Sequence, residues 1–280
     1  MSFVAIVGAG PIGGALAQKL ATRGRVGEIR LIDSAGTVAQ GKALDILQSA
    51  PIENFATNVT AADSIHAVSG ARAIVIADAA SADHEHTGEA ALAMVKQIAA
   101  VETSAPFVFA GTTQRELMAR TVSELRVGST RVVGAAPAAL ESALRALAGV
   151  MLDGSGVEVT LSIVGVPPKG AVVAWEEATA HGQPISSELP PHALAALSAR
   201  IPGLWPPGPY ALGSAAARVV EAIVHGSRRR YTCFVSVRPA TVVAMPVELG
   251  TSGVVRVVAP TLTRQEQTTL DTAIENASRG

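Results

Sequence analysis

Residues 3–13 read FVAIVGAGPIG, an apolar run followed at once by the spacing Gly-x-Gly-x-x-Gly. The apolar run predicts a buried strand, and the segment that begins at Gly13 is typical of a helix. In such a strand–loop–helix unit the first glycine permits a tight turn and the second lets a phosphate approach the backbone. The third allows the helix to pack closely on the strand. The sequence therefore predicts a Rossmann-type phosphate-binding loop, with the helix N-terminus facing the phosphates.

Asp33 follows the next apolar strand and lies twenty residues after Gly13. A carboxylate at this place can accept hydrogen bonds from ribose hydroxyls and would repel a 2′-phosphate, which favours NAD over NADP. The alternative is an aspartate that only caps the following turn. The predicted dinucleotide-binding residues are Gly8, Gly10, Pro11, Ile12, Gly13, Asp33, Ala77 and Thr112.

The composition excludes several classes of protein. The chain has 280 residues, of which 49% are apolar and 16% charged, so it is not an extended disordered chain. Only 3% are aromatic and the net charge is −1, which gives no support for nucleic-acid binding. The single cysteine, Cys233, excludes an internal disulfide framework and is expected to be a buried thiol. No stretch is suited to span a bilayer, and we expect a soluble cytoplasmic protein.

Short apolar strands alternate with helical patterns in the first half of the chain, which predicts a doubly wound parallel sheet. The strands are predicted over 3–7, 29–32, 73–77, 106–110 and 130–133, and the helices over 13–23, 36–47, 88–101 and 114–125. This half, residues 1–140, is the predicted NAD-binding Rossmann domain.

The second half, residues 141–280, is predicted to be an α+β domain for substrate binding and dimerisation. The predicted helices cover 138–151, 192–200, 214–225 and 263–276, and the predicted strands cover 157–164, 171–175, 231–237, 241–247 and 254–258. The last three strands are expected to be consecutive and antiparallel. Thr263 and Glu266 form a capping box at the start of the final helix.

Residues 36–46, GTVAQGKALDI, resemble the helix after the second strand in the lactate/malate dehydrogenase family. Gln48, Pro51 and Phe55 fit the malate dehydrogenase-like continuation. Residues 214–223 and 246–254 are similar to the late helix and the final hairpin of that family. The resemblance covers nearly the whole chain. It implies a Rossmann domain, an α+β domain, an NAD cofactor and a homodimer or homotetramer.

The resemblance also implies a histidine, in a Gly-His-Gly-Asp turn, that protonates the developing alkoxide. The matching residues 165–170 read GVPPKG, so Pro167 or Pro168 stands where the imidazole should be. Proline can neither give nor take a proton. Glu141 matches the carboxylate that orients the imidazole, whereas Leu144 falls on the substrate-binding arginine. Arg145 is one position later, about 100° around the helix, and should point elsewhere.

Two further segments depart from the family pattern. The lid segment, residues 80–87, contains no arginine, and Thr112 is the nearest match to an asparagine that helps to hold substrate. The Pro/Gly-rich residues 200–210 replace part of a longer helix and are expected to open or reshape one wall of the cleft.

Ionisable candidates near these positions are few. His84 and His86, with Asp83 or Glu85, could bind a metal from an extended loop, but a solvated polar loop is the alternative and no metal site is predicted. Lys169 follows the lost imidazole and could serve as a general acid if desolvation lowered its pKa; an exposed turn lysine is the alternative. The catalytic candidates are Glu141 and Lys169.

Two functions follow from this pattern. The first is a divergent NAD-dependent oxidoreductase acting on a substrate other than a simple 2-keto acid. The second is a non-catalytic NAD(H)-binding sensor or assembly protein, a pseudoenzyme on the same scaffold. Both predict a dinucleotide ligand and no ordinary malate or lactate dehydrogenase activity.

Overall fold

The computed structural model describes residues 3–81 and 84–279. In the first half, six parallel strands lie in the order β3-β2-β1-β4-β5-β6. They are β1 Phe3–Val7, β2 Glu28–Ile32, β3 Asn58–Ala62, β4 Ala71–Ile76, β5 Phe107–Phe109 and β6 Val132–Gly134. The helices of this half are α1 Pro11–Arg23, α2 Gly36–Glu53, α3 Gly88–Val101 and α4 Arg115–Ser123. The predicted doubly wound sheet is confirmed.

Most of the predicted elements of this half occur, because their strands are rich in buried apolar side chains. The side chains of Ile6 and Ile76, on the central strands, have no exposed surface. Strand β3 was not predicted. It pairs only with β2, at the edge of the sheet, and most of its side chains are partly exposed, so it lacks the apolar run of a central strand.

In the second half, strand β12 continues the same sheet by pairing antiparallel with β6. The strands here are β7 Val159–Thr160, β8 Ile163–Val166, β9 Gly170–Val173, β10 Thr179–Ala180, β11 Gln183–Pro184, β12 Arg230–Arg238, β13 Thr241–Gly250 and β14 Gly253–Val257. The helices are α5 Ala136–Met151, α6 Pro191–Ala199, α7 Pro209–His225 and α8 Arg264–Arg279. An α+β second half is therefore confirmed. The division at residue 140 stays a prediction, and this position lies inside α5.

Three predicted elements were wrong in their extent. The strand predicted over 157–164 is two strands on different sheets, since β7 pairs with β10 whereas β8 pairs with β9 and β13. Helix α2 runs on to Glu53, and Pro51 lies within its last turn. Helix α7 begins at Pro209 rather than at Ser214, because a proline fits the first turn of a helix, where no intrahelical N–H bond is needed.

Helix α7 brings the second half of the chain against the glycine loop. It packs on α1 so closely that a Cβ at Gly213 would come within 2.8 Å of the backbone N of Leu16. The capping box of α8 is confirmed, since Thr263 N donates to Glu266 and Glu266 N donates back to the Thr263 hydroxyl. None of the helices in the described ranges is long and apolar enough to cross a membrane.

Candidate functional site

The glycine loop connects β1 to α1 with the close contacts that its spacing predicts. Gly8 has a φ of +108°, which a side chain would strain. A Cβ at Gly13 would lie 2.0 Å from the carbonyl oxygen of Gly8, so only glycine lets the helix approach the strand at this point. Pro11 occupies the first turn of α1, with Ile12 buried behind it.

Asp33 lies directly beyond β2 and is buried. Its Oδ2 accepts hydrogen bonds from the N–H of Ala9, at 2.8 Å, and of Ala80, at 2.9 Å, while Oδ1 accepts from Ala35 N at 2.9 Å. Burial works to raise the pKa of this carboxyl, but the three N–H groups and the nearby His86 outweigh it and hold the pKa below its usual value. A carboxylate offers about four acceptor positions, so one on Oδ1 is left for a ribose hydroxyl.

A second carboxylate, which the sequence reasoning missed, lies at the N-terminus of α1. Asp78 is buried and follows β4. Its Oδ2 accepts from Ile12 N and its Oδ1 from Gly13 N, both at 2.9 Å, and its carbonyl accepts from Gly10 N at 2.9 Å. The helix N-terminus is a favourable place for an anion, and here the protein's own carboxylate occupies it. The available signal was an aspartate directly after an apolar strand, as at Asp33.

A third carboxylate, that of Glu85, binds the loop after β5. It accepts from the N–H and hydroxyl of Thr112, at 2.7 and 3.0 Å, and from those of Thr113, at 2.6 and 2.5 Å. Thr112, a predicted cofactor-binding residue, is therefore already bonded within the protein.

In the described part of this segment, residues 77–78 lie beside residues 85–86. Asp78 and Glu85 form a bridge, and the N–H of His86 donates to the carbonyl of Ala77 at 3.3 Å. The buried amide of Gln114 also donates to the carbonyl of Ala77, at 2.9 Å. We call the described residues 77–81 and 84–86 the acidic hairpin. Its two carboxylates attach it to both sides of the cleft.

Of the two carboxylates that were weighed as metal ligands, one is engaged within the protein and the other lies outside the described residues. The carboxylate of Glu85 binds threonines, and Asp83 is not among the described residues. Within residues 3–81 and 84–279, no group of three His, Cys, Asp or Glu side chains could hold a metal ion.

A cleft of about 420 Å³ opens between the acidic hairpin, α1, the loop after β5 and the Pro-rich segment before α7. It is lined by Pro11, Ile12, Asp78, His84, Glu85, Thr87, Thr112, Thr113, Pro206, Pro207, Pro209 and Leu212. This lining carries two carboxylates and one imidazole, and none of its members is a lysine or an arginine. Pro206 and Pro207, from the Pro/Gly-rich segment, form part of one wall, and the reshaping of that wall stays a prediction.

Glu141, on α5, does not line this cleft but a separate one of about 310 Å³, together with Thr232. Burial raises the pKa of Glu141 to about 7, although a hydrogen bond from Thr232 and the charge of Arg145 act against the rise. Arg145 lines the same separate cleft as Glu141, and its Nε donates to the carbonyl of Val159 at 2.6 Å. Leu144 is fully buried in the core.

The turn between β8 and β9 holds the residues that match the family's catalytic turn. Pro167 is buried there, and Lys169 is exposed. The desolvation on which an acid role for Lys169 depended is therefore not seen. The role itself stays a prediction, as does that of Glu141.

Comparisons with known proteins agree with this fold and loop. Residues 3–104 match the family model of the lactate/malate dehydrogenase NAD-binding domain. The chain is 27% identical to a malate dehydrogenase of Chloroherpeton thalassium over 289 residues, which cover 95% of this chain and 93% of that protein.

Solved structures show the same fold over almost the whole length. The malate dehydrogenase of Salinibacter ruber aligns with a TM-score of 0.86 and 23% identity, covering 99% of this chain and 95% of that one. A lactate dehydrogenase from a Medee basin deep-sea metagenome aligns with a TM-score of 0.86 and 19% identity, covering 99% and 97%.

The glycine loop, the Asp33 carboxylate and the matched domain define an α/β protein with an NAD-binding Rossmann domain. In sequence and fold the chain is similar to proteins of the lactate/malate dehydrogenase family, and its cofactor is NAD.

Proposed function

We propose that this protein is a divergent NAD-dependent oxidoreductase without ordinary malate or lactate dehydrogenase activity. The observation that carries the proposal is the turn between β8 and β9, where Pro167 or Pro168 matches the position of the family's catalytic imidazole. Reduction of a 2-keto acid requires a proton for the developing alkoxide, and this side chain has none to give.

The charge of the cleft supports the same conclusion. A 2-keto acid would bring its carboxylate beside Asp78 and Glu85, and the described residues of this lining include no lysine or arginine to oppose them. Two like charges a few ångströms apart in a partly buried cleft repel by about 1–4 kcal/mol. A neutral or cationic carbonyl or alcohol fits this lining better than oxaloacetate or pyruvate does.

Glu141 remains the first of the two catalytic candidates, although it lines a cleft separate from the one beside the glycine loop. Its pKa of about 7 suits a group that both gives and takes a proton at neutral pH, whereas Lys169 is exposed to solvent. The non-catalytic alternative is not favoured, because the malate dehydrogenase relative matches along nearly the whole chain. A homodimer or homotetramer and a cytoplasmic location remain part of the proposal.

The test combines a binding and a turnover measurement on the pure protein. Calorimetric titration should detect NADH in preference to NADPH, while NADH oxidation with oxaloacetate or pyruvate should stay at the level of the reaction without protein. An active malate dehydrogenase in the same assay is the positive control. Robust oxaloacetate- or pyruvate-dependent oxidation would overturn the proposal, and so would binding of neither dinucleotide.

A further inference from the structure

The hydrogen-bond donors of the glycine loop are all engaged within the protein. Three of the backbone N–H groups donate to backbone carbonyls: Gly8 to Ile32, Gly10 to Asp78 and Gly14 to Gly10. The other three donate to carboxylates: Ala9 to Asp33, and Ile12 and Gly13 to Asp78. Pro11 has no N–H. A diphosphate that binds to a loop of this type accepts hydrogen bonds from such N–H groups. In this conformation none of those between residues 8 and 14 is free to receive it.

The Asp78 carboxylate also fills the space that the second glycine leaves. A Cβ at Gly10 would lie 2.5 Å from both Cγ and Oδ2 of Asp78. The family pattern uses the missing side chain at this position to let pyrophosphate approach the backbone. A diphosphate and the Asp78 carboxylate therefore compete for the same volume as well as for the same two amides, and both are anions.

The side chain of Asp78 has space to move into when its hydrogen bonds to the amides break. Its backbone is held by the N–H of Gly10 and by the bridge to Glu85, so the hairpin resists moving as a whole. Its side chain, however, lies at the wall of the 420 Å³ cleft and can rotate into it. Such a rotation frees Ile12 N and Gly13 N without displacing the backbone.

We infer that Asp78 is a specificity-determining residue of the nucleotide site, an internal competitor that weakens the binding of any ligand with a diphosphate at the glycine loop. The inference rests on the NAD-binding assignment of the domain. It concerns the diphosphate alone, because the Asp78 carboxylate bonds the amides of Ile12 and Gly13, whereas the proposed ribose acceptor is Asp33. The protein then recognises the adenosine end of its cofactor normally, and the phosphates add little to the free energy of binding.

The first test uses the wild-type protein and requires no variant. Dissociation constants for adenosine and for ADP-ribose are measured by calorimetry under one buffer condition. We expect the two to agree within about threefold, because the release of Asp78 offsets the charge-assisted bonds to the diphosphate. ADP-ribose bound a hundredfold more tightly than adenosine would overturn the inference.

The second test removes the competing charge. In Asp78→Asn the side chain keeps its shape and one acceptor for the helix amides, and in Asp78→Ala it is removed. Both variants should bind ADP-ribose and NADH at least about tenfold more tightly than the wild type, with adenosine unchanged. Asp271→Asn, an exposed aspartate on α8, is the matched control and should change no constant. Thermal unfolding of each variant checks that it is folded.

The outcomes separate this inference from the cofactor assignment. Equal affinity of wild type and Asp78→Asn for NADH would overturn the competitor role and leave NAD binding intact. Tightening of adenosine to the same degree would also overturn it, since a general loosening of the pocket would then be the cause. Failure of every variant to bind NADH or ADP-ribose would refute the NAD assignment together with the inference.

Discussion

The hydroxyl of Thr232, on β12, donates a hydrogen bond to the carboxylate of Glu141, on α5, although 91 residues separate them in the chain. Thr232 is buried, and Glu141 is partly buried beside it. Burial raises the pKa of Glu141 from an ordinary 4.5 to about 7. The contact joins the helix that matches the family's catalytic helix to the strand that links the two halves of the sheet.

The raised pKa of Glu141 predicts a pH dependence of stability. The unfolded chain releases this proton near pH 4.5 and the folded protein near 7, so the stabilisation is complete below the first value and is lost as pH rises through the second. The loss is at most about 3 kcal/mol. In Glu141→Gln this part of the pH dependence should disappear, which guanidinium unfolding at pH 5 and pH 8 will measure. Glu116→Gln, exposed on α4, is the control, and an unchanged pH profile in Glu141→Gln would contradict the prediction.

Glu85 holds the loop after β5 through four hydrogen bonds to Thr112 and Thr113, and its removal should release that loop. In Glu85→Ala we expect amide hydrogen exchange at both threonines to accelerate at least about tenfold, because a bond to a charged acceptor contributes about 1.5–3 kcal/mol. Glu89→Gln is the control, since Glu89 makes an exposed ion pair with Arg120 that contributes at most about 1 kcal/mol. Slow exchange of the two amides in Glu85→Ala would show that other contacts hold the loop after β5.

The fold could be predicted from the sequence because its strongest signals are local. Apolar runs such as 3–7 mark strands buried on both faces, and the capping box at Thr263 marks a helix start by a four-residue pattern. Elements without such signals were missed or misjudged. Strand β3 is a partly exposed edge strand, and the break between β7 and β8 interrupts a run that is apolar enough to be read as one strand.

In the candidate site, too, the features that depend on local spacing could be predicted, and the contacts between distant residues could not. The close contact of Gly13 with Gly8 follows from spacing along one segment, and it agreed with expectation. The place of Asp78 did not follow, because its acceptor atoms meet amides 65 and 66 residues away, and no local pattern encodes that contact. The same holds for Glu85, which meets Thr112 and Thr113 across the cleft.

Cys233 should be unreactive in the native protein. Its side chain is fully buried, and burial, together with the charge of Glu141, raises the pKa of the thiol well above its ordinary value. The thiolate is the reactive form, so both accessibility and ionisation oppose modification. A thiol-reactive chromogenic disulfide should label no cysteine in native buffer and one per chain in denaturant. Stoichiometric labelling of the native protein within minutes would contradict this burial.

The packing of the glycine loop predicts opposite effects for two glycine-to-alanine substitutions. In Gly13→Ala the new Cβ would lie 2.0 Å from the carbonyl oxygen of Gly8, and because both groups belong to backbone, neither can rotate away. We expect the free energy of unfolding to fall by about 3 kcal/mol or more. In Gly41→Ala, within α2, no atom lies within 4 Å of the new Cβ, and the helix should gain about 0.5–1 kcal/mol.

Guanidinium unfolding of the two variants beside the wild type measures both effects under one condition. The comparison isolates steric packing, because each variant adds one methyl group to a helix and removes the same backbone freedom from the unfolded chain. A Gly13→Ala variant as stable as the wild type would mean that α1 can shift away from β1, and the close approach would then not be a requirement of this loop. A loss of stability in Gly41→Ala similar to that in Gly13→Ala would instead assign the effect to the alanine itself.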